Sequence, residues 1–121
     1  MRHANLFVLV VVFLVSISAC AKPINVSCTD SVNSLQKLRE KSFPVNCPVN
    51  CTNGAVWGTN NLFTTDSAIC VAAIHEGVVT AEGGMVKVKL LPGQASYGAG
   101  SKNGVATRSW DSYGSSFSVS K

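Results

Sequence analysis

The groups in this chain with chemistry to offer are five cysteines, two histidines and a scatter of serines. Cys47 and Cys51 lie four apart, flanked by Cys28 and Cys70. Four thiolates can hold a tetrahedral zinc ion, but structural zinc sites draw on two close cysteine pairs and only one close pair is present. Oxidation is the reading that suits an exported chain. Four cysteines form two disulfides in three ways, and spacing does not choose among them. Export is read from the N-terminus, where Arg2 and His3 lead into an apolar run from Leu6 to Val15. Ser16, Ser18, Ala19, Cys20 and Ala21 follow, completing the order of a signal peptide. A spanning helix needs about 20 apolar residues, more than this run supplies. Ala19-Cys20-Ala21 fits the Ala-x-Ala cleavage rule and starts the mature chain at Lys22. Ile17-Ser18-Ala19-Cys20 also resembles a lipobox, which would lipidate Cys20 and anchor the chain at a cell envelope. Either route removes Cys20 and leaves an even four. Residues 1–21 are read as the leader and 22–121 as one domain, with simple secretion favoured.

Nothing else assembles a reaction centre. His75 is the one histidine beyond the leader. A triad would need it beside Asp66 or Asp111 and a serine, yet no Gly-x-Ser-x-Gly elbow occurs. At the end of a helix its cationic form would instead meet the helix dipole favourably, a structural role. Ser34-Leu35-Gln36-Lys37 matches Ser-x-x-Lys, without the Ser-Asp-Asn and Lys-Thr-Gly elements that such enzymes need. The stretch from Gly98 to Gly104 superficially resembles a phosphate-cradling loop. It lacks the Gly-Lys-Ser/Thr ending and a following helix, so it is read as a hairpin loop that can contact a ligand. The chain is therefore read as a non-enzyme without a cofactor or metal.

Binding is the remaining class. The formal charge is +4, and removing Arg2 with the leader leaves nine basic against six acidic residues, about +3. That balance favours anionic surfaces and falls well short of a nucleic-acid signature. Lys87, Lys89, Lys102 and Arg108 are the candidate basic patch for anionic lipid or polysaccharide. Trp57 and Trp110 can stack on sugars, although Trp57 is expected in the core. Asn25-Val26-Ser27 and Asn50-Cys51-Thr52 are glycosylation sequons, meaningful in a eukaryotic secretory pathway.

These residues need a scaffold, and periodicity outlines one. Val32, Leu35 and Leu38 suggest a short helix after Asp30, ended by Pro44. Phe43 to Cys51 reads as a strand entering a turn, and Ala55 to Phe63 as strand, Asn60-Asn61 turn, strand. A helix is predicted over Asp66–Glu76, capped by Thr65 or Asp66 and closed by Gly77. Met85 to Leu91 alternates apolar Val86, Val88 and Leu90 with Lys87 and Lys89, the clearest strand signal. Pro92-Gly93 is expected to turn it, and Asn103-Gly104 to turn a hairpin. Val105–Trp110 and Ser116–Ser120 are the last strands, with Phe117 and Val119 inward.

Several separated motifs are similar to one family. Cys47-Pro48-Val49-Asn50-Cys51, Val56-Trp57-Gly58-Thr59 and the run from Asp66 to His75 resemble the LCCL domain. Leu91-Pro92-Gly93-Gln94, Ser96-Tyr97, Asn103-Gly104-Val105 and Ser116-Phe117 continue the resemblance in order, from about Cys28 to Val119. It implies an α+β fold with one central helix wrapped by β-strands, and disulfides Cys28–Cys47 and Cys51–Cys70. It also implies extracellular roles in innate defence or matrix biology, with lipopolysaccharide or other envelope components as ligands. The alternative is a structural module that binds an extracellular protein.

Overall fold

The computed structural model describes residues 22–121. The leader, its lipobox and Cys20 lie outside the described residues. The elements are β1 (Ile24–Asn25), β2 (Ser42–Cys47), β3 (Gly58–Thr59), β4 (Leu62–Thr64), α1 (Ile69–His75), β5 (Gly84–Gln94), β6 (Ser101–Lys102), β7 (Val105–Ala106) and β8 (Tyr113–Ser120). Six of the strands form one sheet in the order β1-β2-β5-β8-β4-β3, and β6 and β7 form a separate hairpin. This is the expected α+β fold with one short helix.

Strand β5 organises the sheet. Its alternation sends Val86 and Val88 fully inward and leaves Lys87 and Lys89 exposed. Its neighbours repeat the pattern in register. Phe43 and Val45 of β2 face Val88 and Val86, and Val119 of β8 faces Val88. Phe117 pairs with Phe63 of β4, their rings 5.5 Å apart. Helix α1 lays Ile69, Cys70, Ala72 and Ala73 against this inner face. The alanines let the helix sit close to the sheet.

The helix starts three residues later than expected. The Asp66 carboxylate is engaged by the Thr64 hydroxyl at 2.5 Å, and Ser67 closes a turn onto the Thr64 carbonyl. Ala68 stands at the N-cap without a side-chain bond. The early amides find distant carbonyls instead: Ala68 N–H donates to Ala55 and Ile69 N–H to Asp30. At the other end Gly77 has φ +74°. Gly77 N–H donates to Ile74 and Val78 N–H to Ala73, a left-handed C-terminal cap of the expected kind.

The helix expected around Val32 does not form. Short polar side chains capture the backbone there. Asp30 accepts from Ser27 N–H at 2.8 Å and from the Ser34 hydroxyl at 3.1 Å, and the Ser31 and Ser34 side chains each accept from the other's amide. Gln36 then turns left-handed at φ 56°. The result is a chain of turns that buries Val32 completely and presents the Asp30 carbonyl to α1.

Two further expectations change. Pro92-Gly93 does not turn the chain, because β5 continues to Gln94 against Tyr113. Gly93 lies so close to the Tyr113 and Gly114 backbone that a Cβ would collide with it. The Val105–Trp110 strand shrinks to Val105–Ala106 followed by isolated bridges Trp57↔Arg108 and Tyr97↔Trp110. The Asn60-Asn61 and Asn103-Gly104 turns form as expected, each with both residues at positive φ.

The disulfides also correct the expected pairing: they join Cys28 to Cys51 and Cys47 to Cys70. Strand alternation is the reason. Cys47 follows Phe43 and Val45 on the inward positions of β2, which aims its sulfur at Cys70 in the first turn of α1. The Pro48–Asn50 turn then carries Cys51 to Cys28, where Gly54 also approaches the Cys28 carbonyl. Cα separations of 5.6 and 4.9 Å suit both links. Each closes 23 residues, worth about 3 kcal/mol in the chain-entropy account.

Candidate functional site

The sheet has an inner face covered by α1 and an outer face that carries its cations. Lys87 and Lys89 project outward from β5, about 7 Å apart along the strand. Register supplies their neighbours. Pro44 and Ser42 of β2 lie opposite Lys87 and Lys89, and Ser120 and Ser118 of β8 lie opposite them on the other side. Asn46 and exposed Met85 extend the row toward the start of β5. No carboxylate stands among these positions, so the lysine charges are not offset by their cross-strand neighbours. A cleft of about 720 Å³ opens beside them, with Pro44, Val78, Val79 and Met85 as apolar walls and Lys87 and Lys121 at its rim.

The other two predicted cations do not join them. Lys102 sits on the β6–β7 hairpin, which packs against α1 on the opposite side of the sheet, and its Nζ donates to Asn60 Oδ1 at 2.8 Å. Arg108 lies beyond β3, bridged to Trp57, three strands away from β5. The four-residue patch therefore separates into a lysine pair and two isolated charges.

His75 is fully buried and meets no carboxylate. Its Nδ1 lies 2.9 Å from the Val105 carbonyl and its Nε2 2.8 Å from the Thr59 hydroxyl. A carbonyl only accepts, so Nδ1 carries a proton, and the Thr59 hydroxyl completes the ring's hydrogen bonding at Nε2. Asn103 Nδ2 donates to the His75 carbonyl at 2.9 Å, adding a second tie between helix and hairpin. This arrangement ties the helix to β3 and to the hairpin. The Ser34 hydroxyl donates to Asp30, so the Ser-x-x-Lys run is a turn element. Asp30 is held below the usual carboxylate range, chiefly by the Ser27 backbone N–H, with burial opposing and the Ser34 hydroxyl assisting.

Both sequon asparagines are exposed. Asn25 lies on edge strand β1 with Oδ1 accepting from Asn46 Nδ2 at 3.2 Å, and Asn50 occupies a left-handed turn at φ 59°. Sequence reasoning missed two features. A second cleft of about 530 Å³ lies between α1 and the hairpin, lined by Val71, Ile74, Val79 and Val105 with no charged side chain. Trp57, expected in the core, is only half-buried and meets Trp110 edge-on, ring centroids 6.2 Å apart. The signal was available in Trp110, whose place in a Ser/Asp-rich stretch argues against burial.

Cochlin of Cavia porcellus is 35% identical over 86 residues, covering 69% of this chain and 16% of the relative. Cochlin of Bos taurus is 34% identical over 103 residues, 84% of this chain and 18% of the relative. Vitrin of Mus musculus is 34% identical over 87 residues, 70% and 13% respectively. The chain thus spans less than one fifth of the length of these curated relatives. The family model described as LCCL domain matches residues 26–117, nearly the whole of the described fold, and the chain belongs to the LCCL domain family.

Proposed function

We propose that this domain is a secreted, non-enzymatic recognition module whose outer sheet face binds an anionic component of a cell envelope or matrix. Lipopolysaccharide, anionic lipid and acidic polysaccharide are the ligands in this class. The observation that carries the reading is the pair Lys87 and Lys89, with no carboxylate among their cross-strand neighbours, beside an apolar-walled cleft. Such a face attracts anions over about one Debye length, and the cleft walls offer burial to an apolar portion of the ligand. The test is a binding titration of the oxidised domain against lipopolysaccharide, phosphatidylglycerol vesicles and peptidoglycan at low and high salt. Saturable binding that weakens with salt is expected for at least one; no binding by a folded, fully oxidised domain overturns the reading.

A second reading is a structural module that docks an extracellular protein. Val49 and Met85, 62% and 59% exposed, favour it. It predicts a protein partner whose binding is insensitive to salt beyond ordinary screening.

A further inference from the structure

The half-open tryptophan pair lies apart from the lysine face and does not depend on it. Trp57 and Trp110 meet at an interplanar angle of 66°, forming a corner, and Trp110 is 51% exposed. The parallel bridge between Trp57 and Arg108 places both side chains on one side of the ladder, and Trp110, two residues on, returns to that side. Two indoles and a guanidinium thus share one surface. Among the described residues the one ion pair joins Lys37 and Glu40, so Arg108 meets no carboxylate there.

The backbone beneath this surface is fixed. Trp110 and Tyr97 exchange amide hydrogen bonds at 3.0 and 2.8 Å, and buried Tyr97 is anchored through its hydroxyl to Ser116 Oγ at 2.5 Å. Trp57 N–H donates to Ser67 Oγ at 2.9 Å, while its carbonyl accepts from Thr64. Arg108 N–H donates to Val56, and the Arg108 carbonyl accepts from Gly58. An exposed indole on a backbone held this firmly needs less ordering when a ligand lands on it.

We propose that Trp57, Trp110 and Arg108 form a second binding site, for an acidic saccharide. The C–H bonds on one face of a pyranose carry partial positive charge and meet the negative face of an indole. A carboxylate or sulfate on the ring reaches Arg108, whose planar guanidinium takes such groups through paired N–H bonds. The unpaired cation is what selects an acidic sugar over a neutral one.

The experiment uses a reporter already in place, because Trp57 and Trp110 are the two tryptophans of the chain. Intrinsic emission is followed while the oxidised domain is titrated with a heparin-derived hexasaccharide, a hyaluronan hexasaccharide and neutral chitohexaose. A saturable emission change is expected with an acidic hexasaccharide and a weaker one with chitohexaose. Trp110→Ala should weaken acidic-saccharide binding about tenfold or more, measured by calorimetry. Arg108→Gln should abolish the preference for the acidic sugar. No emission change to millimolar saccharide, equal binding of chitohexaose, or binding that survives both Trp110→Ala and Arg108→Gln overturns the assignment.

Discussion

The imidazole of His75 donates its Nδ1 proton to the Val105 carbonyl across 2.9 Å, tying the last turn of the helix to hairpin β6–β7. The hairpin belongs to no larger sheet, and this bond, the Asn103 bond to the His75 carbonyl and the Lys102 bond to Asn60 tie it to the rest of the fold. Replacing His75 with Ala removes a fully buried ring and strands the Val105 carbonyl and the Thr59 hydroxyl. We expect a loss of about 3 kcal/mol, read as a lower urea midpoint at unchanged slope.

The cysteine connectivity is checked by counting thiols. Cys28→Ser with Cys51→Ser removes one bridge cleanly, so the denatured protein should show no free thiol and about 3 kcal/mol less stability. Cys28→Ser with Cys47→Ser breaks both bridges and should expose two thiols to a thiol reagent. The opposite thiol counts would restore the pairing Cys28–Cys47.

Asp30 connects acid stability to the turn that caps α1. Its folded-state pKa is lowered, so its contribution is complete above the unfolded carboxylate value near 4 and is lost as pH falls through the folded value. Asp30→Ala should cost about 1 kcal/mol at pH 7. The gap between variant and parent should narrow as pH falls below about 4, followed by denaturant titrations at several pH values. A gap that stays constant to pH 2 would show that the carboxylate charge is not what matters.

Gly77 takes the left-handed conformation that closes α1, and a Cβ there would lie 3.2 Å from Asn103 Nδ2. Gly77→Ala should therefore cost about 1 kcal/mol from the backbone alone, lowering the melting temperature by roughly 4–8 °C. No change in melting temperature would mean that the cap contributes nothing.

The outer face was legible because strand alternation is a local signal: Val86 and Val88 against Lys87 and Lys89 fix which way each points. Gly77 and Asn103-Gly104 were legible for the same reason, since left-handed turns need those residue types. What escaped depends on distant partners. The start of α1 is set by the Asp30 and Ala55 carbonyls, and the partner of Cys47 by which face of β2 meets the helix. Pro92-Gly93 looks like a turn until β8 runs alongside it. Arg108 and Lys102 share a charge with Lys87 in the sequence, but strand order sends them elsewhere.

The most direct test of the proposed recognition face is to replace both of its lysines. Lys87→Gln with Lys89→Gln changes two exposed side chains and should leave melting temperature and disulfides intact. At about 1 kcal/mol per lysine near an anionic surface, affinity for phosphatidylglycerol vesicles or lipopolysaccharide should fall roughly 30-fold at low salt, and much of the salt dependence should disappear. Affinity and salt dependence equal to those of the parent domain would contradict the account.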